Sequence, residues 1–149
     1  MRIRRAFTII ELLTTMTVIG LLARLAVPRY SDMKRRAVAA SIIGDVHAVR
    51  IAAFTEYTEH GAFPPDVAAG QLPPELIDNL PLGFSFNKSD YDYDWHVWTT
   101  TNSSGNLETL VGISVIVTDS RLAAQLVKSA GAGYITVVTP TQVTFLVAS

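Results

Sequence analysis

The N-terminal apolar run is the feature that most constrains how this chain can fold. A hexapeptide with three arginines is followed by 21 residues, 7–27, that contain only two charged side chains, Glu11 and Arg24. As a helix rising about 1.5 Å per residue, the run is roughly 30 Å long, which matches the hydrocarbon core of a bilayer. A secretory signal peptide also begins with basic residues, but its apolar region is shorter and ends at a small-residue cleavage site. We therefore expect a membrane helix that stays with the protein.

The two charges inside this run have different explanations. Arg24 lies near its far end, where a long side chain can lift its charge into the lipid headgroups. Glu11 lies only five residues into the run. An ionised carboxylate in lipid costs about 2.5–3.5 kcal/mol on insertion scales. Glu11 is therefore predicted to have a partner.

The residues around Glu11 form a recognisable motif. The sequence Ala6-Phe7-Thr8-Ile9-Ile10-Glu11-Leu12, after a short basic leader and before an apolar run closed by Val27-Pro28, resembles the N-terminus of type IV pilins and type II secretion pseudopilins. The resemblance is tight over residues 2–36 and only architectural beyond them. It implies that a membrane-bound prepilin peptidase removes the leader, residues 1–6, by cutting between Ala6 and Phe7. The same enzyme would then methylate the new amine of Phe7, and Pro28 would kink the helix.

The resemblance also implies a role for Glu11. Its carboxylate would pair with the Phe7 amine of a neighbouring subunit, and assembly would relieve the cost of a lone charge in low-dielectric surroundings. A pair with the Phe7 amine of its own chain, one helical turn away, is the alternative. Two residues depart from the family pattern: Ala6 stands where the family prefers Gly, and Arg24 where it has a small or apolar residue.

Charge is distributed unevenly along the chain. The net charge is −1, but residues 1–50 carry nine Lys and Arg against three acids, whereas residues 51–149 carry three against ten. A basic front and an acidic back suggest two parts in different environments, or subunits that meet front to back; chance and a solvated acidic surface are the alternative explanation. Five basic residues lie near the end of the apolar run or within ten residues after it, at 24, 29 and 34–36. The positive-inside rule alone would place them in the cytoplasm. We follow the motif, which implies the reverse topology.

The apolar pattern continues beyond Pro28 as one face of a helix. Residues 29–60 form the predicted amphipathic stalk, with apolar positions spaced by three or four, at Val38, Ile42, Val46, Val49, Ala53 and Tyr57. Gly61 would end the helix. This face is expected to pack on the chain's own head, although a coiled coil with neighbours is the other option. Residues 61–83 hold five of the seven prolines and are predicted to be an ordered connecting loop, pinned by Leu76, Ile77 and Leu80. By resemblance, this loop makes subunit contacts.

Residues 84–149 are predicted to form a β-rich head. Tyr91, Tyr93 and Trp95 alternate with acids, which is the period of a half-buried strand. A turn cluster separates this strand from a second, 107–117, and a helix over 120–130, capped by Thr118 or Asp119, precedes a final hairpin of 134–138 and 143–147. The predicted fold class is α+β and pilin-like. Its long N-terminal helix, half transmembrane and half amphipathic, packs on a C-terminal antiparallel sheet.

The sequence offers little support for catalysis or for a cofactor. There is no cysteine, and the histidines at 47, 60 and 96 lack metal-ligand spacing. No Gly-x-Ser-x-Gly elbow is present. Asp90, Asp92 and Asp94 are weak calcium candidates, because a strand sets them about 7 Å apart without an EF-hand's glycine and closing glutamate. The acids beside the aromatic residues would also repel a nucleic acid backbone, so no nucleic acid partner is expected.

These observations lead to one functional hypothesis and one alternative. The chain is predicted to be a non-enzymatic structural subunit of a type IV pilus or pseudopilus. Its implied partners are the prepilin peptidase, other copies of itself or related pilins, the inner-membrane assembly machinery and the lipid bilayer. Its implied location is the bacterial inner membrane, single-pass with the head outside the cytoplasm, and then the pilus or periplasmic pseudopilus. The alternative is a single-pass anchored ligand-binding module that does not polymerise and that could depend on calcium.

Overall fold

The chain folds as one long helix, a four-stranded antiparallel sheet and a second short helix. The computed structural model describes residues 7–101, 103–131 and 135–148. Its helices and strands, in chain order, are α1 (Ile9–His60), β1 (Tyr91–Thr101), β2 (Leu107–Val117), α2 (Ser120–Ala130), β3 (Ile135–Val138) and β4 (Gln142–Ala148). Two compact units divide after Arg35. Each unit is described here by itself.

The first unit is helical from Ile9 onward and has no core of its own. Every side chain from Phe7 to Tyr30 is exposed. By length and composition, α1 is apolar enough to cross a membrane. The threonine hydroxyls inside the apolar part of α1 do not weaken this surface, because each donates to a carbonyl one turn back. The donors are Thr14, Thr15 and Thr17, with oxygen-oxygen distances of 2.8–3.0 Å.

The second unit has a core built between the remainder of α1 and the sheet. The buried side of α1 carries Ala39, Ile42, Val46, Val49, Ala52 and Ala53. Most of the predicted stripe is therefore confirmed, but its last member is wrong: Tyr57 is 46% exposed, and Glu56 is buried in its place. Tyr57 instead stacks on Phe63 of the connecting loop, with ring centroids 4.6 Å apart. The loop thus gives the Tyr57 ring a partner, Phe63, that is itself partly buried against the core.

The sheet has the strand order β1-β2-β4-β3. β1 and β2 form the predicted hairpin, in which Tyr93 faces Val115 and Trp95 faces Ile113. All four side chains are fully buried, so the predicted alternation along β1 is confirmed. The last strand in the chain, β4, lies in the interior of the sheet, where it pairs with both β2 and β3.

The elements that follow β2 begin and end close to their predicted positions. Asp119, rather than Thr118, caps α2, because its Oδ1 accepts a hydrogen bond from the Arg121 N–H at 2.9 Å. The helix stops at Gly131, whose φ of 74° is a conformation that favours glycine. Tyr134, predicted to begin the third strand, lies outside the described residues, and β3 is assigned from Ile135.

The proline-rich loop covers the outer edge of β1. Gly70 N–H donates to the Tyr93 carbonyl at 2.8 Å, and Tyr93 N–H donates to the Phe86 carbonyl at 2.9 Å. The buried Trp95 indole N–H donates to the Pro64 carbonyl at 3.0 Å. A short 3-10 helix, Pro74–Asn79, buries Leu76 and leaves Ile77 exposed. The loop and the segment after it thus provide hydrogen-bond partners for backbone groups of an edge strand that would otherwise be unpaired.

Candidate functional site

The start of α1 is closed by a reciprocal cap between Thr8 and Glu11. Glu11 Oε2 accepts hydrogen bonds from the Thr8 backbone N–H at 2.9 Å and from the Thr8 hydroxyl at 2.8 Å. The Glu11 N–H donates to the Thr8 hydroxyl oxygen at 3.3 Å. This is a capping box, in which Thr is the N-cap residue and Glu lies three residues later. It satisfies N–H groups that a helix start leaves without intrahelical partners.

The cap gives Glu11 a role that the sequence interpretation missed. The signal was present, because Thr8-x-x-Glu11 before an apolar run is the sequence signature of a capping box. The carboxylate therefore has a partner within its own chain, which is neither of the two amines considered from sequence. In the part of the chain that the structure describes, Glu11 Oε1 makes no hydrogen bond. One oxygen serves the cap, and the other is available to a second donor.

The other predicted residues of the N-terminal region are Ala6, Phe7 and Pro28. Ala6 lies outside the described residues. Phe7, on the far side of the predicted cut, precedes the helix and is 78% exposed. Pro28 lies inside α1, which continues to His60. The kink at Pro28 therefore stays a prediction, as do cleavage and methylation at Phe7.

The three candidate calcium ligands of the head have separate surroundings. Asp90 precedes β1. Asp92 has one buried oxygen, Oδ1, that has no hydrogen-bond partner among the residues that the structure describes. Asp94 Oδ2 lies 3.0 Å from His96 Nε2, and the other ring nitrogen lies 3.7 Å from an oxygen of Asp66. Burial raises the pKa of Asp94 above its usual range; the His96 charge opposes this shift and the Asp66 charge adds to it. The Asp94 carboxylate thus contacts His96, whose other ring nitrogen lies near Asp66 of the connecting loop.

Within the described ranges, the His and acidic side chains that converge closely enough to hold a metal are Glu56, Glu59 and His60, whose ligand atoms lie within 4.8 Å of one another. They occupy the last turn of α1, and His60 Nδ1 lies 2.8 Å from Glu56 Oε1. The nearly buried Glu56 carboxylate therefore already has a partner. This pairing accounts for the cluster without an ion.

A buried hydrogen bond joins α1 to the sheet. The hydroxyl of the fully buried Tyr93 donates to Asp45 Oδ2 at 2.8 Å. Burial, followed by the hydrogen bond and charge of Asp45, raises the pKa of Tyr93 far above its ordinary value. The phenol consequently keeps its proton and remains a donor. This contact fixes the position of α1 on β1 within the second unit.

Comparisons with known proteins point in one direction. No family model matches the chain. The chain is 32% identical over 72 residues to the type IV major pilin protein PilE1 of Neisseria gonorrhoeae. The matched segment covers 48% of this chain and 34% of that protein. It is 36% identical over 53 residues to a fimbrial protein of Pseudomonas aeruginosa, covering 36% of this chain and 34% of that protein. The chain thus spans about a third of the length of the curated relatives that it matches.

A solved structure extends the likeness to the fold. The major type IV pilin PilA1 of Clostridium difficile superposes with a TM-score of 0.51 over 77% of this chain and 97% of that chain, at 16% identity. This likeness confirms the predicted architecture of a long N-terminal helix packed on an antiparallel sheet. At this level of identity it concerns the fold alone.

Proposed function

Because this chain resembles type IV pilins in its N-terminal sequence and in its fold, we propose that it belongs to that family and is a structural, non-enzymatic subunit of a pilus or pseudopilus filament. It is made as a prepilin in the bacterial inner membrane, with its head outside the cytoplasm. A prepilin peptidase cuts between Ala6 and Phe7 and methylates the Phe7 amine. The inner-membrane machinery then assembles the subunit with copies of itself or with related pilins, through the N-terminal helices.

The observation that carries the proposal is the uncovered apolar surface of α1. Twelve large apolar side chains between Phe7 and Val27 are at least half exposed. Burying one such side chain gains about 1.5–3 kcal/mol, so twelve amount to roughly 20–35 kcal/mol. No part of the described chain supplies this cover. A bilayer can do so before assembly, and the helices of neighbouring subunits can do so afterwards.

Glu11 supplies the polar element of the same surface. Cleavage before Phe7 would create a cationic amine at the start of the helix. The cap leaves the other carboxylate oxygen, Oε1, open. Oε1 can accept a hydrogen bond from the amine of a neighbouring subunit while Oε2 keeps its hydrogen bonds from Thr8. Such a contact would offset the cost of a carboxylate in apolar surroundings. It would also favour one axial register between neighbours, because each cleaved chain would have one N-terminal amine and one Glu11 oxygen that the cap leaves open.

Two substitutions at Glu11 separate the cap from the charge. Glu11→Gln keeps a side chain that can complete a capping box but removes the negative charge. Glu11→Ala removes both. We expect both variants to be cleaved and methylated, and both to form few filaments, measured by electron microscopy and by the sheared filament fraction. Glu59→Gln, an exposed substitution at the other end of α1, is the matched control and should assemble normally. Normal filaments from Glu11→Gln would show that the cap suffices and that no charge pair is needed.

Mass spectrometry of the native chain tests the processing step directly. A methylated N-terminal Phe7 is the expected result. An intact Met1 together with an absence of filaments would favour the non-polymerising membrane-anchored module instead.

A further inference from the structure

Three basic residues at the end of the apolar run and just beyond it form a collar around α1. We use the term cationic collar for Arg24, Arg29 and Lys34. All three side chains are exposed. In the part of the chain that the structure describes, none of them makes an ion pair or a side-chain hydrogen bond. The neighbouring Arg35 differs, because its guanidinium lies 3.1 Å from Asp32.

The spacing of the collar places its charges on all sides of the helix. Its members are separated by five residues each, and an α-helix turns about 100° per residue. Successive members are therefore rotated by about 140°, so three of them divide the full circle. Along the axis, Arg24 and Lys34 lie about 15 Å apart. An apolar stripe facing a protein partner would use one side of a helix, whereas this collar uses three.

The position of the collar relative to the apolar run indicates what surrounds it. Arg24 lies three residues before the end of the run at Val27, and Arg29 lies two residues after it. In a bilayer, these positions coincide with the boundary between hydrocarbon and headgroups. Long side chains from Arg24 below and Lys34 above can reach the same layer. A headgroup layer encloses a helix on every side, which is the geometry that the collar presents.

We propose that the cationic collar binds the phosphates of anionic phospholipid headgroups in the leaflet adjoining the head. The proposal depends on the membrane-anchored topology of the proposed function, but not on cleavage or polymerisation. It also gives a role to positive charges that lie on the side where the positive-inside rule does not expect them. These contacts would hold the unassembled subunit at one depth in the membrane until it enters a filament.

The test uses the full-length chain in zwitterionic detergent micelles. Phosphatidylglycerol is added, and the bound lipid is counted by native mass spectrometry. The double variant Arg29→Gln/Lys34→Gln removes two collar charges and leaves the apolar run intact. Each basic residue near an anionic surface strengthens binding by about five-fold, so the double variant should bind roughly 25-fold more weakly. Phosphatidylcholine, which carries no net charge, should bind both proteins equally weakly.

A matched control removes the same charge from the head. Arg121→Gln/Lys128→Gln changes two exposed residues on or near the surface of α2 and should leave phosphatidylglycerol binding unchanged. Circular dichroism of each variant should show that the helices are retained. Equal phosphatidylglycerol binding by the collar variant and the unsubstituted chain would overturn the proposal. So would loss of filament assembly in the collar variant with unchanged lipid binding, because the collar would then serve a neighbouring subunit.

The outcome is distinct from that of the proposed function. If the chain binds anionic lipid through the collar but forms no filaments, the collar proposal stands and the proposed pilus function is refuted. If the chain forms filaments but its lipid binding does not depend on the collar charges, the proposed pilus function stands and the collar proposal is refuted.

Discussion

Replacing Tyr93 by Phe should remove the hydrogen bond that holds α1 to the sheet, with little other change. The ring is fully buried, and only its hydroxyl, 2.8 Å from Asp45 Oδ2, is lost. A hydrogen bond to a charged group contributes about 1.5–3 kcal/mol. Asp45 is half-buried and regains some water when its donor is removed. We therefore expect a loss near the lower end of this range, about 1.5–2 kcal/mol.

This loss can be measured as a change in thermal stability. A head of this size should lose roughly 4 °C in Tm per kcal/mol, so Tyr93→Phe should lower Tm by about 6–8 °C. Near-UV circular dichroism of the detergent-solubilised full chain reports the transition through the buried aromatic residues. Tyr57→Phe is the matched control, since Tyr57 is 46% exposed and its ring contact with Phe63 does not involve the hydroxyl. A shift in Tyr93→Phe no larger than in this control would refute the reasoning.

The same substitution should change the pH dependence of stability. Burial and Asp45 raise the pKa of Tyr93 above its ordinary value of 10.0, so the folded state keeps a proton that the unfolded state releases. The stability contributed by the neutral phenol is therefore complete below pH 10 and declines as the pH rises above it. Tyr93→Phe should lack this component of the alkaline loss. An unchanged difference in Tm between the two proteins from pH 8 to pH 11 would contradict the account.

Further predictions concern the sheet and the helices, and each is read by thermal unfolding of the same full chain. Gly112→Ala should destabilise the head by about 1–3 kcal/mol, because a Cβ there would lie 2.8 Å from a ring carbon of Trp98 and 3.0 Å from a backbone oxygen. Gly44→Ala should instead stabilise α1 by about 0.5–1 kcal/mol, since nothing lies within 4 Å of its Cβ position; a loss of stability would contradict this. Asp119→Ala removes the cap of α2 and should cost about 0.5–2 kcal/mol. Asp119→Asn, which can still cap, should be close to neutral, and equal losses in both variants would refute the capping role.

Much of this structure can be predicted from local sequence. The apolar run, the three-four spacing of the stalk and the alternation through Tyr93 and Trp95 are local patterns, and they placed α1 and β1 correctly. The turn cluster before Leu107 placed β2. Asp119 and Gly131 marked the ends of α2 for equally local reasons. The motif around Glu11 indicated the resemblance to type IV pilins. The same residues also contain the capping box, Thr8-x-x-Glu11, although the position of Glu11 in an apolar run predicted an amine as its partner instead.

Other features were decided only when distant segments met. No local pattern places β4 between β2 and β3, because strand order depends on which pairing best covers the core. Tyr57 is exposed and Glu56 is buried in its place, and the Tyr57 ring stacks on Phe63 of the connecting loop. The bonds from Tyr93 to Asp45 and from Trp95 to Pro64 join residues 48 and 31 positions apart. Periodicity fixes which face of an element is apolar, but only packing in three dimensions fixes what that face meets.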